Sequence, residues 1–539
     1  MRIKVLIVLV AAAAVPYFIN LGASSLWDAN EAFYAQTARE MVETADYVNP
    51  SFNFQLRYNK PVLSYWEVAA AYRLFGVSEW SERLPIAIGA IVIIATAFGL
   101  GRLIGGTEAG LLAALVLATS PRMLLLGRRI IIDVHVAMFT GLVLLCFALA
   151  ETRPQRRRYL IAMYVAAGLG VLTKGPVAVF LPALVFFIYL ASERRLAGLR
   201  RMMLPTGAAV SLAIVLPWYV LVYRQHGWDY IKSFVFGENL GRYAEGVGGQ
   251  ARGIFFYVPV MFADLFPWSV FIPIALWWAF RERDPGQSSR IPLLLLIWIA
   301  ATVAFFSLSG TKEDLYILPV VPAEAALIGA LVAKSASPVR WFSMAAGAVL
   351  CVAGAATFWV FAVAHRYSLQ GAAFSGAIAA IGGIGALAAG ARGRNAGAAM
   401  IVAGTLTIIS WCVVLRTLPD FERYKPVRPF SAIVRSRASP GAIVGYYKFA
   451  LPSMVYYLNR PIMEVLLPDH LRAVFSSSSD IYFVMPEDEY DSVKNRLPVR
   501  TFVLARQQMF DLRPMNFLNG SELPEFVLIS NRPGDGSAQ

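Results

Sequence analysis

Along this chain the apolar positions fall into runs too long for strands and too evenly greasy for the half-buried helices of a soluble protein. Thirteen can be delimited, at 3–21, 84–101, 108–121, 136–150, 159–173, 175–192, 204–222, 255–280, 291–308, 315–333, 341–364, 371–390 and 396–416. Such runs predict membrane-crossing helices, because a backbone in hydrocarbon must satisfy its hydrogen bonds within its own segment. The pattern therefore predicts a polytopic α-helical membrane protein of about thirteen spans. The fifth and sixth runs are short and separated only by Lys174-Gly175. The first follows Arg2 and Lys4, as a signal peptide's apolar region would. It lacks a small-residue cleavage site and ends near Leu26-Trp27, where an interfacial anchor belongs, so it reads as a retained span, with a cleaved signal as the lesser alternative.

The polar stretches between the runs are unequal. Arginine and lysine collect in alternate short loops: Arg2 and Lys4; Arg153 with Arg156–Arg158; Arg194, Arg195, Arg200 and Arg201; Arg281, Arg283 and Arg290; Arg392 and Arg394. The positive-inside rule puts these, and the N-terminus, in the cytoplasm. An odd number of crossings then leaves the tail outside, with every long connection: 22–83, 122–135, 223–254 and the chain from about 417. In the tail the long apolar runs stop. "GAIVGYYKFALPSMVYYL", "DIYFVMP" and "TFVLARQQMF" read as short strands and strand–helix units, predicting a small soluble α/β domain. The expected division is residues 1–416 for the membrane domain and 417–539 for the soluble one.

Composition agrees and removes some function classes. The chain is 58% apolar and only 15% charged, far from a soluble average. Its net charge of +14 is spread over short clusters rather than one face or tail, so nucleic acid is not the expected partner. Cys146, Cys351 and Cys412 each lie inside an apolar run and predict packing rather than disulfides or a metal site.

Candidate chemistry gathers on the outer connections. "LWDANEAFYAQTAREM" (26–41) reads as an amphipathic helix directly after the first span, with Asp28 and Glu31 three residues apart. The two carboxylates share a face if the helix begins early, whereas in the structural alternative Asp28 caps the helix and Glu31 completes a capping-box-like pair. "LRYNKPVLSYW" supplies Arg57, Tyr58 and Lys60. "LLGRRIIIDVHVAMF" places Asp133 at the hydrocarbon edge, where an ionisable group is costly unless it lines a polar cavity. Lys174 sits at one outer turn, Lys312 and Tyr316 at another, as flanks for an anionic ligand. The Gly-rich stretch within 223–254 carries Glu238, Arg242 and Arg252 and reads as a mobile active-site loop. It lacks the Lys-Ser/Thr of a phosphate-binding P-loop. His135 and His226 form no helix-spaced pair, so no metal is predicted, although a divalent ion at the carboxylates stays open. One chemistry uses this set: group transfer from a lipid phosphate to a water-side hydroxyl, with a carboxylate taking the proton and Lys and Arg stabilising the departing phosphate.

The order of these motifs also resembles a family. An acidic motif follows the first span; Lys60-Pro61 precedes Tyr65-Trp66; Asp133 lies in the second outer connection. Thr173-Lys174-Gly175 follows, then a Glu…Arg segment ending in Tyr257-Val258-Pro259…Pro267-Trp268, then Lys312…Tyr316-Ile317-Leu318-Pro319. Over about residues 3–335 this is similar to the GT-C membrane glycosyltransferases, in the bacterial branch holding lipid A 4-amino-4-deoxy-L-arabinose transferase and its protein O-mannosyltransferase relatives. The resemblance implies a GT-C-like membrane domain with two juxtamembrane helices in the first loop. It also implies a polyprenyl-phosphate-linked sugar donor, an inverting transfer at the periplasmic face of the inner membrane, and lipid A or another envelope acceptor. By the same resemblance Glu31 matches the Glu of an Asp-Glu pair, Asp133 the second-loop Asp, and Lys60, Lys174, Lys312 and Tyr316 positions near phosphate or sugar. The Asp before that Glu is Asn30 here, and the basic residue of the flexible loop falls at Gln250 or Arg252. Asn cannot act as a base, which leaves Asp28, Glu31 or Asp133 for the role. The rival from another class, a transporter or flippase of a lipid-linked solute, requires ionisable groups near the midplane of several spans, of which Asp264 is the clearest here.

Overall fold

A computed structural model describes the chain except residues 1, 29, 235–236, 238–240, 242, 244–251, 282–289, 335–338, 365–368, 511–522 and 534–539. Glu238, Arg242 and Gln250 lie outside the described residues. Each of the thirteen apolar runs contains helix. Among the described residues eight helices are long and apolar enough to cross a membrane, nine if one bent pair counts as a single span.

Two departures from a row of simple spans shape the bundle. The 40-residue helix α4 (Glu79–Ala118) leaves helical geometry at Gly105 and Gly106, the latter at φ 78°, where only glycine is comfortable. The chain doubles back there, and a Cβ on Gly110 would come within 2.7 Å of the Phe98 carbonyl. The runs expected at 84–101 and 108–121 are thus two tightly packed legs. The run expected at 255–280 is instead broken: Tyr257–Asp264 and Trp268–Arg281 meet at 116°. Pro267, with no N–H to give, cannot continue the first helix. The break leaves the buried Asp264 carboxylate 3.0 Å from Arg122.

The first long connection is densely folded. Helix α2 (Asn30–Thr44) buries Glu31, Gln36, Thr37 and Glu40 as well as its apolar positions, so it is enclosed around most of its circumference rather than lying half in water. A two-stranded hairpin (β1, Ser51–Phe52; β2, Gln55–Leu56) turns through Asn53 and Phe54, both at positive φ, and helix α3 (Leu63–Phe75) leads back to α4. Glu40 fastens the hairpin, accepting from the Ser51 hydroxyl (2.5 Å) and the Phe54 amide (3.2 Å).

The cover over α2 is the C-terminal sheet, of strand order β4-β3-β5-β7-β6. Strand β3 (Ile443–Tyr447) pairs in parallel with β4 (Met463–Val465) and β5 (Ile481–Pro486). Strand β7 (Glu525–Ser530) pairs antiparallel with β5 and β6 (Phe502–Gln508). The helix Ser453–Leu458 that follows β3 lands on the first connection. Asp28 accepts from both the amide and the hydroxyl of Ser453, each at 2.7 Å. The Tyr457 hydroxyl accepts the Leu26 amide at 2.8 Å, Arg39 donates to the Tyr456 carbonyl at 3.0 Å, and Asn53 exchanges two bonds with the backbone of Ile462.

Burial pushes Asp28 up to about 6, against the Ser453 bonds that favour its charge. A carboxyl with a raised folded-state pKa contributes most below its unfolded value and loses that contribution as pH rises through the folded one. Asp28→Ala should therefore lower the unfolding free energy of the docked sheet by about 1–3 kcal/mol, seen as earlier thermal release and faster proteolysis before residue 443. Asp28→Asn removes the titration, so the wild type's advantage over it in the same assay should be larger at pH 5 than at pH 7.

Candidate active site

The side of the bundle that carries the first connection is organised around Glu31 and Arg83. Arg83 lies one turn into α4 and is fully buried with Glu31. Its Nε and Nη2 grip the two carboxylate oxygens at 2.8 and 2.9 Å, and its remaining donors reach the carbonyls of Leu21, Ser24 and Ser25. Glu31 also accepts the amides of Trp27 (2.8 Å) and Ile130 (3.2 Å). Burial opposes its charge, but Arg83 and the Trp27 amide hold Glu31 below the usual carboxylate range. A carboxylate so engaged is a poor proton acceptor and a strong clamp.

The clamped Ile130 amide lies three residues before Asp133. Helix α6 (Ile132–Thr152) begins there, with Asp133 in its first turn, where a negative charge suits the helix dipole. Helix α7 (Arg156–Lys174) ends at Lys174, placing a positive charge at the complementary end, and Gly175 at φ 97° turns the chain away. Helices α6 and α7 pack together, and the ammonium of Lys174 pairs with Asp133. Both side chains keep some access to solvent, 18% for Lys174 and 13% for Asp133. Lys174 Nζ is 4.8 Å from the centre of the Tyr316 ring, a cation–π distance.

The Tyr316 segment is pinned from two sides. Arg122, in the short helix α5 (Pro121–Leu126), bridges Asp264 (3.0 Å) and Asp314 (2.6 Å). Arg252 donates to the Lys312 carbonyl (2.7 Å), lies 3.5 Å from Glu313 and stacks on Phe256 at 4.5 Å. Lys312 itself is buried and donates to the Ser309 carbonyl at 2.7 Å. Asp133, Lys174 and Tyr316 thus converge, and Arg252 and Lys312 meet on the same segment four residues earlier.

The remaining candidates have contacts of their own. The Arg57 guanidinium stacks on Phe33 at 4.0 Å, and Tyr58 packs edge-on to His226 and Tyr230. The Lys60 carbonyl accepts the Tyr230 hydroxyl at 2.8 Å. Both Asp28 oxygens are taken by Ser453, and Asn30 is exposed at the first position of α2. His226 bonds Asn49 at 2.7 Å and His135 lies 2.8 Å from Glu67. Among the described residues no group of three His, Cys, Asp or Glu could hold a metal ion. Sequence reasoning missed Arg83, Arg122, Asp314 and Lys425. For Arg83 the signal was available: a charged pair, Glu82-Arg83, opening an apolar run.

Known proteins resemble this chain over different shares of its length. The family described as dolichyl-phosphate-mannose-protein mannosyltransferase matches residues 59–221. An uncharacterised protein of Aquifex aeolicus is 31% identical over 60% of this chain and 62% of its own length. The undecaprenyl phosphate-alpha-4-amino-4-deoxy-L-arabinose arabinosyl transferase of Pectobacterium carotovorum is 28% identical over 68% of this chain and 67% of its own. The match therefore spans about two thirds or less of these relatives' length. The crystal structure of ArnT from Cupriavidus metallidurans bound to undecaprenyl phosphate superposes with a TM-score of 0.80 at 24% identity, covering 98% of each chain. That likeness extends over nearly the whole chain, so this multi-pass membrane protein has the fold of the ArnT structure.

Proposed function

We propose that the protein transfers a sugar from a polyprenyl-phosphate carrier to lipid A or another cell-envelope acceptor, with inversion, at the periplasmic face of the inner membrane. The observation that carries the reading is the meeting of Asp133, Lys174 and Tyr316 where α6 begins and α7 ends. The relatives whose names specify aminoarabinose make that sugar the first donor to test. The ArnT structure holds undecaprenyl phosphate in a chain of the same fold, which supports a carrier of that class. The loop side is then the extracytoplasmic one, with the N-terminus in the cytoplasm and the C-terminal sheet outside, a reading that the distribution of arginines supports.

In this reading the carrier phosphate leaves with the electrons of the C1–O bond, while an acceptor oxygen forms the new bond to C1 from the opposite face. A phosphate leaving group is already a weak base, so stabilising its charge matters more than protonating it. Lys174 supplies that charge, and Arg252 lies on the neighbouring strip. At rest Lys174 neutralises Asp133; a bound phosphate competes for the ammonium and releases the carboxylate to accept the acceptor's proton. Asp133 suits that role better than the other carboxylates considered, since Glu31 is held by Arg83 and two amides and Asp28 by Ser453. Asn30 has no proton-accepting charge.

Lipid mass spectrometry of cells lacking the protein tests the reaction: a carrier-linked sugar should accumulate, and unchanged carrier pools would overturn it. In proteoliposomes Asp133→Asn should lower kcat by about 100- to 10,000-fold with normal thermal stability, the range for removing a general base. Glu31→Gln should do the reverse in kind, destabilising the fold by about 3–5 kcal/mol through the orphaned Arg83 charge. Its activity per folded molecule should fall less than that of Asp133→Asn. Equal kcat for wild type and Asp133→Asn would remove Asp133 as the base.

A further inference from the structure

Around Glu31 the cations differ in their partners: Arg83 has Glu31 and, at 3.6 Å, Glu82, whereas Arg128, Arg129 and Lys425 have no carboxylate within 4.0 Å among the described residues. Arg83 and Glu31 satisfy each other in a two-pronged pair. Arg128 is buried beside them and, among the described residues, donates to the carbonyls of Pro16 and Asn20. Arg129 follows it, its guanidinium 3.8 Å from the centre of the Trp27 indole. Lys425, just past the last apolar run, brings its ammonium to 4.0 Å from the same ring centre. It is buried and donates to the carbonyls of Ser25 and Leu26. Among the described residues no carboxylate stands within 4.0 Å of either cation, and the side-chain donors of Arg129 have no hydrogen-bond acceptor.

A buried ammonium and a partly covered guanidinium on one indole are a costly arrangement without an anion. Stacking orients the Arg129 plane and leaves its edge donors available, as a bidentate phosphate or carboxylate contact requires. Burial is the main cause that pushes Lys425 down to about 7, with Glu31 and Glu422 opposing it and Arg83 and Arg129 adding to it. Asn30, exposed three residues after Trp27, adds an amide and no charge of its own. The Lys174–Tyr316 pair belongs to a separate contact set.

We propose that Arg129 and Lys425, stacked on Trp27, form an oxyanion subsite distinct from the Lys174–Tyr316 pair, and that it receives a phosphate or carboxylate of the molecule accepting the sugar. The acceptor clause rests on the transfer reading above; the binding claim stands without it. Two sources carry that chemistry, a lipid headgroup and a soluble phosphate, and separate probes distinguish them.

Full-length protein in detergent micelles, preloaded with saturating farnesyl phosphate to fill the carrier position, is titrated calorimetrically with phosphatidic acid and, separately, with inorganic phosphate. At least one probe should bind the wild type, and the one that binds identifies the source. Arg129→Gln and Lys425→Met should each weaken that binding by about tenfold or more, the loss of one charge-assisted hydrogen bond. Their affinity for farnesyl phosphate alone should stay within about twofold, which also shows that the variants are folded. Lys174→Met should show the opposite pattern. Absence of a second binding event, unchanged second-site affinity in both variants, or parallel loss of farnesyl phosphate would overturn the subsite. A wild type that binds the second probe but transfers no sugar from any carrier would remove the acceptor clause alone.

Discussion

A buried ion pair fixes the geometry on which the candidate site depends. Desolvating a carboxylate and a guanidinium costs several kcal/mol each, and the cost is recovered only if nearly every donor and lone pair finds a partner. Glu31 and Arg83 meet that condition by drawing in backbone from separate segments: the carbonyls after the first helix, the Trp27 amide, and the Ile130 amide ahead of α6. Satisfying the pair therefore assembles the loop side of the bundle. Ile130 can lie 3.2 Å from Glu31 only if the connection after α5 is in place, and that connection aims Asp133 at Lys174. An apolar pair of equal volume would fill the space without specifying which loops meet.

The C-terminal sheet follows from the same constraint. Polar groups on α2 must be buried for the Glu31 clamp to stay dry, and a membrane bundle alone leaves one side of α2 in water. The helix Ser453–Leu458 closes that side, through Asp28, Leu26 and Arg39. Ser25 donates to Glu422 at 2.9 Å, so the chain entering the sheet is itself fastened to the same loop. The sheet acts on the site by holding the first connection still, which explains why its contacts concentrate there.

Much of the bundle was legible because one-dimensional hydrophobicity is the physical variable that selects a span, and each apolar run contains helix. The break near Asp264 was not, since apolar residues continue through Leu265, Phe266 and Trp268. What ends the helix there is a missing N–H at Pro267 and a charge pair with a distant arginine. The site divided along the same line. Asp133, Lys174 and Tyr316 were readable singly, because an ionisable or aromatic group at the hydrocarbon edge is costly without a purpose. Glu31 and Asp28 were readable as polar but not by role: their partners, Arg83 and Ser453, lie 52 and 425 residues away. Local spacing allowed a capping box or a catalytic pair, whereas the structure places both carboxylates in long-range ties.

The same reasoning bears on a transport function. A carrier of solutes places ionisable groups where their partners can exchange as the two sides alternate. Asp264, the strongest such candidate, is instead joined through Arg122 to Asp314, in the turn that carries Tyr316. Moving Asp264 relative to that turn would leave a buried carboxylate without its cation, at a cost of up to about 3–5 kcal/mol. The Asp264–Arg122–Asp314 chain therefore stiffens the segment facing Lys174. A rigid constellation suits a reaction whose barrier falls by holding leaving group, sugar carbon and acceptor in fixed register, and it would hinder a cycle that must open to both sides of the membrane.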